Sequence, residues 1–337
     1  MSLEAVAKRA GVSTATVSRV LNGISVVKGT TRTRVMKAVA ELKYHPNLHA
    51  RSLAGGRSRT VGVIVSNLDN PFFLDVYRTV ESDCHAQGFE VVVANTAYSS
   101  EQLVSSVRLM LGRRVAGLAA ILSEIDEAIV QELTDDKIPV VFFDVGRPGE
   151  NITKIRVNYR KGVERIAEYL TQLGHRDIGF ITHHMALEPV NARQLALIDS
   201  LAVVSPGARV RVFASSDSLE GGRQAARELL LSGPAPTAIV CVNDFMAVGV
   251  LKELRERGIR VPEDISVTGF DNIKLSEFCY PALTTVHVPR DVIGHTLFSS
   301  LIPDAMGNPV PGREHVIDPE FMVRDSTAVA RTTPLRI

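Results

Sequence analysis

MSLEAVAKRAGVSTATVSRVLN, residues 1–22, decides how the rest of the chain is read. Leu3, Val6 and Ala7 recur at helical spacing, and Ala10-Gly11-Val12 breaks the repeat. Ser13 stands where a helix cap is wanted, and Val17, Val20 and Leu21 give the next segment its own apolar stripe. That stripe leaves Thr14, Ala15, Thr16, Ser18, Arg19 and Asn22 facing outward. Two short helices around a glycine turn are either a plain helical hairpin or a helix-turn-helix, whose second helix lies in a DNA major groove.

Charge favours the second reading. Residues 1–59 hold eleven Lys or Arg against two acids, Glu4 and Glu41, a net of +9, while the whole chain carries only +1. A basic head therefore precedes an acidic body of −8. Such asymmetry predicts a polyanionic partner for the head alone, because phosphate contacts dominate affinity for nucleic acid.

The 337 residues, 45% hydrophobic, suffice for two or three domains with buried cores. The chain shows no charged-then-apolar leader and no apolar run of membrane-spanning length, so a cytoplasmic protein is expected. Cys84, Cys241 and Cys279 are odd in number and widely spaced, as reduced core residues are. There is no metal-ligand spacing, no nucleophile motif and no glycine-rich phosphate loop. No cofactor, metal or catalytic residue is expected, and a nucleotide-dependent dehydrogenase or other α/β enzyme is disfavoured.

A third helix is predicted over 31–42, with Val35, Ala38, Val39 and Leu42 inward, ending before Tyr44-His45-Pro46-Asn47. Residues 48–54 are compatible with a short helix too brief to hold itself in water, and Gly55-Gly56 follows as a boundary. From residue 60 the pattern alternates. Strands are predicted at 60–65, 89–94, 115–121 and 139–143, with helices at 71–87, 101–111 and 125–134. The theme restarts with helices at 159–173, 189–202, 219–231 and 244–257, between strands at 177–181, 209–213, 238–242 and 265–269. The expected fold is a small all-α helix-turn-helix domain followed by an α/β body of two doubly wound parallel-sheet lobes. Ligands in such sheets sit outside the carboxyl ends of the strands, so two facing lobes make one interlobe cleft.

Here the chain resembles the lactose and galactose repressor (LacI/GalR) family. The likeness is carried by AVAKRAGVSTATVSRVLNG (5–23), TRTRVMKAVAELKYHPN (31–47), ARSLAGGRS (50–58), SNLDNPFF (66–73) and LGHRDIGFI (173–181). It continues through PTAIVCVNDFMAVGVLKELRERGIRVPEDISVTGFDN (236–272), PALTTV (281–286) and EFMVRDST (320–327). The resemblance implies a homodimeric transcription regulator, with a body like periplasmic sugar-binding proteins and DNA affinity controlled by a small ligand. It divides the chain into a DNA-binding domain (1–47), a hinge helix and linker (48–59) and an effector domain (60–337). The N-lobe is then about 60–157 with 288–316, and the C-lobe about 158–287 with 317–331.

Carried over residue by residue, the resemblance assigns base contacts to Thr14, Ala15 and Arg19, and the outward Thr16, Ser18 and Asn22 with Arg32 of the basic head complete the expected DNA-binding set. Arg19 suits the guanine edge, and Ala15 offers only an apolar contact. Leu53 matches a leucine that family dimers wedge into the minor groove, where 48–54 would fold on DNA. The effector positions are Asp144, Arg193, Asn243 and Asp271, a donor–acceptor set suited to a hydroxylated, sugar-like ligand, with Phe72 and Phe73 after Pro71 as a wall for an apolar ring face. Asp244 reads as a helix cap, and capping is an alternative role for Asp271.

The chain also departs from the family. Lys28-Gly29 removes the usual cap before the third helix, leaving Thr30 or Thr31 to take over. His183-His184 puts bulk at the cleft edge. Val288, Ser216 and Gln194-Leu195-Ala196-Leu197 change positions near the ligand. Four-chain members of the family carry an extra C-terminal heptad helix, and RDSTAVARTTPLRI carries no heptads, so the resemblance implies a dimer whose two-fold symmetry matches a palindromic operator. The alternative is a solute-binding sensor with no DNA role, which the basic head argues against.

Overall fold

The computed structural model describes residues 2–21, 26–44, 58–124, 127–135, 137–185, 187–302 and 310–335. It divides into two compact units, Met1–Arg59 and Thr60–Ile337. Asn22, Leu53 and the segment 48–54 lie outside the described residues.

The first unit is helical: α1 Leu3–Ala10, α2 Thr14–Leu21 and α3 Gly29–Glu41. Ser2 caps α1 by accepting from the Ala5 amide at 3.3 Å. Gly11 ends α1 at φ 61°, a left-handed conformation that suits glycine, and its N–H returns to the Ala7 and Lys8 carbonyls. Ser13 caps α2, its hydroxyl accepting from the Thr16 amide at 3.2 Å. The core is Val6, Ala7, Ala10, Val17, Val20, Val35 and Ala38, with Val39 and Leu42 packed against it. The third helix starts two residues before the expected position. Lys28 makes no side-chain capping bond, and Thr30 and Thr31 lie inside the helix, so neither takes over the cap.

The second unit holds two parallel sheets. The larger has the order β11-β5-β4-β3-β1-β2, the order of a doubly wound fold. Its strands are β1 Thr60–Val65, β2 Glu90–Asn95, β3 Gly117–Ile121, β4 Val140–Phe143, β5 Ile152–Val157 and β11 Glu314–Ile317. The smaller has the order β7-β6-β8-β9, from β6 Asp177–His183, β7 Arg209–Ser215, β8 Ala238–Cys241 and β9 Ser266–Thr268. Both are parallel throughout. The antiparallel pair β10 Thr285–His287 and β12 Glu320–Met322 completes the body.

β3, GLAAI, is buried along its length and β1, TVGVIV, from Val61 onward, because helices cover both faces of the sheet. On the second lobe, helices Leu219–Leu231 and Asp244–Glu256 meet closely through glycine. A Cβ on Gly222 would fall 2.1 Å from the Met246 carbonyl oxygen, and one on Gly249 would fall 2.0 Å from that of Leu219. The chain passes from the first sheet to helix Tyr159–Gln172 after β5. It returns between β10 and helix Arg290–Leu301, and crosses again between β11 and β12. Three crossings with few residues each are the build of a hinge. Among the described residues, no helix is long and apolar enough to cross a membrane.

Candidate functional site

On the head, burying Val17 and Val20 turns the rest of α2 outward. Thr14, Ala15 and Arg19 are exposed, and Thr16 and Ser18 are half-buried. The Thr16 hydroxyl lies 2.9 Å from that of Ser13, so it belongs to the capping turn as well as to the outer face. Arg32 is half-buried on α3, while Lys8, Arg9, Lys28, Arg34, Lys37 and Lys43 are exposed. Arg9 forms an ion pair with Glu41 at 2.6 Å, the one pair made by this exposed set among the described residues. An exposed pair of this kind leaves the cationic character of the surface intact.

In the body, the sequence-assigned residues Phe72, Phe73, Asp144, Arg193, Asn243 and Asp271 line one small cavity between the two lobes. Its volume is about 30 Å³, room for a water molecule or two.

Asn70 caps helix Pro71–Ala86 through the Phe72 amide at 3.0 Å, and Pro71 sits at the first turn. This start fixes Phe72 and Phe73, whose rings meet edge-on at 5.5 Å and form an apolar wall. Asp144 follows β4 in a left-handed conformation, φ 65°. One of its oxygens accepts from the Val157 amide at 3.1 Å, and the other accepts from the Tyr159 hydroxyl. Burial pushes its carboxyl up to about 6, against the opposing pull of these two hydrogen bonds.

Arg193, on helix Glu188–Val204, is held from three sides. Its Nε donates to the Pro189 carbonyl at 3.1 Å, its Nη1 lies 3.9 Å from the Asp271 carboxylate, and its Cζ stands 4.6 Å from the centre of the Tyr159 ring. Asp271 is buried at φ 106°, a conformation L-residues rarely adopt and one that marks functional positions. Its amide donates to Val286 at 2.8 Å and its carbonyl accepts from Arg290 at 2.6 Å. Burial raises its carboxyl well above the usual range, with Arg193 pulling it back.

The cap of helix Asp244–Glu256 is Asn243, whose Oδ1 accepts from the Met246 amide at 2.9 Å; it is not Asp244 as expected. Asp244 is instead fully buried. It accepts from the Ile273 amide at 2.9 Å and from the hydroxyls of Ser276 at 2.6 Å and Thr285 at 2.5 Å. At the first helical position, after the cap, its carboxylate turns into a polar nest in the core. Asp271 caps no helix: the next begins at Lys274 with Ile273 ahead of it.

The sequence reading missed the residue that ties the cleft together. Asp217, two positions past β7, is buried and takes four side-chain donors. From the first lobe come Asn67 and Asn70, each at 3.2 Å, and the Tyr98 hydroxyl at 2.6 Å. Asn243 of its own lobe donates at 2.7 Å. Tyr98 reaches it from a turn in which Ala97 and Tyr98 have φ of 48° and 61°. Tyr159 was missed as well. The signal available was position: Asp217, like Asp144 and Asn243, lies just beyond the carboxyl end of a strand.

Among the departures, His183 lines the cavity, while His184 is exposed and its Nδ1 lies 2.7 Å from the Ser215 carbonyl. Val288 is buried outside the cavity lining, and Ser216 pairs with Ser218 at 2.9 Å. No group of three metal-ligating side chains occurs among the described residues.

Residues 2–47 match the family described as bacterial regulatory proteins, lacI family, and residues 167–327 match the periplasmic binding protein-like domain. The HTH-type transcriptional repressor PurR of Vibrio cholerae serotype O1 is 34% identical over 333 residues, covering 96% of this chain and 97% of that protein. The lac repressor dimer bound to operator and the anti-inducer ONPF superposes with a TM-score of 0.83 at 29% identity, covering 97% of this chain and 99% of that one. The transcriptional regulator CelR in complex with cellobiose aligns with a TM-score of 0.70 at 28% identity, over 97% and 99%. The chain belongs to the lacI family of bacterial regulatory proteins, with the helix-turn-helix unit and two-lobed body of a DNA-binding transcriptional repressor.

Proposed function

We propose that this repressor acts as a homodimer on an inverted-repeat operator and that a small, neutral, hydroxyl-rich ligand between the lobes sets its operator affinity. The convergence of Asp144, Arg193, Asn243 and Asp271 with the Phe72–Phe73 wall on one interlobe cavity carries the ligand reading. Carboxylates accept from hydroxyls, the guanidinium donates to ring or hydroxyl oxygens, and an aromatic face packs against the apolar side of a sugar ring. The guanidinium of Arg193, the one Lys or Arg in the lining, is already engaged by the Pro189 carbonyl and Asp271, which favours a neutral ligand over a phosphorylated or carboxylated one. The cellobiose held by the CelR neighbour is in keeping with this class.

The lac repressor neighbour is a dimer on its operator, and the same state suits this chain. Leu275, Phe278 and Tyr280 are 41%, 71% and 87% exposed on and beside helix Lys274–Phe278, an apolar surface of the kind that subunit contacts cover. Two recognition helices related by a two-fold axis reach major grooves about 34 Å apart. In this reading Thr14, Ala15, Thr16, Ser18, Arg19, Asn22 and Arg32 face the half-site, and Leu53 wedges the minor groove at its centre. The domain division at 47 and 59, with lobes changing over near 157, 287 and 317, is part of the proposal.

A thermal-shift screen with neutral monosaccharides and disaccharides, sugar phosphates and nucleobases tests the ligand class. Stabilisation by a neutral sugar, and none by its phosphate, is expected. Stabilisation by nucleobases alone would overturn the class while leaving the repressor standing.

A further inference from the structure

His183 ends β6 at the carboxyl edge of the smaller sheet and is 94% buried against the cavity, being 6% exposed. Its Nδ1 is enclosed and has no hydrogen-bond partner among the described residues. Buried polar atoms in folded proteins are nearly always paired, so an orphan on a residue that lines a ligand cleft points to a partner that arrives with the ligand.

The surroundings explain why the protein supplies none. Tyr98 packs edge-on against the ring, with centroids 5.1 Å apart at 70°, which fixes the ring plane. The Tyr98 hydroxyl is spent on Asp217. Asp217 already accepts from Asn67, Asn70 and Tyr98 on one oxygen and from Asn243 on the other. The neighbouring His184 turns its Nδ1 to the Ser215 carbonyl. Arg193 is engaged with Pro189 and Asp271.

We propose that His183 is a specificity-determining contact to the effector, its Nδ1 pairing with one hydroxyl or amide group of the bound molecule. The proposal rests on the ligand-binding reading of the cleft given above. Burial holds the imidazole below its usual titration range, countered by Asp217 and aided by Arg193 and His184. The ring is therefore neutral near pH 7 and offers one donor and one acceptor, so it matches a hydroxyl in either role.

The test is titration calorimetry on the full-length wild type, His183→Ala and His183→Asn, with the neutral sugar that stabilises the wild type most in the screen. The amide of the Asn variant places a donor and an acceptor near the Nδ1 position. The expected result is at least a tenfold loss of affinity in His183→Ala and recovery to within about threefold in His183→Asn. One monodeoxy analogue of that sugar should bind wild type and His183→Ala alike, because its missing hydroxyl is the one His183 holds. Equal affinity of wild type and His183→Ala for every sugar tested overturns the contact and leaves the ligand class intact. If nucleobases bind and sugars do not, the sugar class falls, and the same three proteins titrated with the nucleobase decide the contact by the same ratio. A panel with no binder in any class overturns both.

Discussion

The head and the cleft solve opposite problems with polar side chains. On α2 the proposed DNA contacts are what the apolar stripe leaves outside: Thr14, Ala15 and Arg19 are exposed. In the cleft they are buried and already paired with one another, as Asp217 with four donors and Asp144 with two. Substitutions of the outward side chains Thr14, Ala15 and Arg19 should therefore be felt only when DNA is added, and substitutions in the cleft in the protein by itself. The difference also fits coupling between the sites. A ligand moves the lobe equilibrium only by preferring one arrangement, and a cleft filled with direct interlobe hydrogen bonds is one well-defined arrangement to compete with.

The sharpest break of that contrast is Asp217→Ala. Removing this acceptor strands donors from both lobes and should cost about 3–5 kcal/mol of body stability, read from urea unfolding. A loss under about 1 kcal/mol would mean that the interlobe bonds contribute little to holding the cleft closed.

Asp144→Asn comes next, and its sign is set by burial. The folded carboxyl titrates at about 6, above its unfolded value, so its contribution is fully present below the unfolded range and is lost as pH rises through about 6. The variant escapes that loss. The stability difference between variant and wild type should grow by up to about 3 kcal/mol from pH 4 to pH 7. Denaturation midpoints of both proteins across this range measure it. A difference independent of pH would show that the buried carboxylate is not strained.

Smaller effects belong to the head. Arg19→Ala should weaken binding to the specific operator by about 1–3 kcal/mol, with much less loss on random duplex and an unchanged melting temperature. Fluorescence anisotropy on the two DNAs separates these, and equal losses on both would reduce Arg19 to a phosphate contact. Ser13→Ala removes the cap of α2 and should cost about 1 kcal/mol of head stability, seen as earlier loss of helical circular dichroism.

How much was legible in the sequence follows the same divide. The head could be read because its outer face is the complement of an apolar stripe at Val17, Val20 and Leu21. What local pattern misjudged there was the start of α3: without a side-chain cap at Lys28, nothing in the sequence marks the first turn at Gly29. In the body, the alternation of strands and helices was legible because the central strands are apolar runs such as TVGVIV and VVFF. β5, ITKIRV, was missed because Lys154 and Arg156 break its run, and β11 pairs with it through EHVI, which is no more apolar.

These omissions hid part of the site. Tyr159 begins the helix after β5, so a reader without that strand has no reason to place it at a sheet end. β7 runs to Ser215, two residues beyond the expected end, and Asp217 lies just past the true one. The six cleft residues that were named reach one cavity because family resemblance supplied a long-range relation that local pattern does not contain. The bonds among them are tertiary, joining residues as far apart as Asn67 and Asp217, and only the fold displays them.

The measurement that bears most directly on two separated but coupled sites is operator affinity of the full-length protein, with and without the best-stabilising neutral sugar, in wild type and Asp271→Ala. Binding of the unliganded wild type should weaken steeply with salt, as the basic head requires. Adding the sugar should shift wild-type affinity about 5–150-fold, in one direction. Asp271→Ala should bind operator without sugar as the wild type does and show no shift when sugar is added. A variant that keeps the full ligand-driven shift, or a wild type whose operator affinity no cleft ligand alters, would contradict the account.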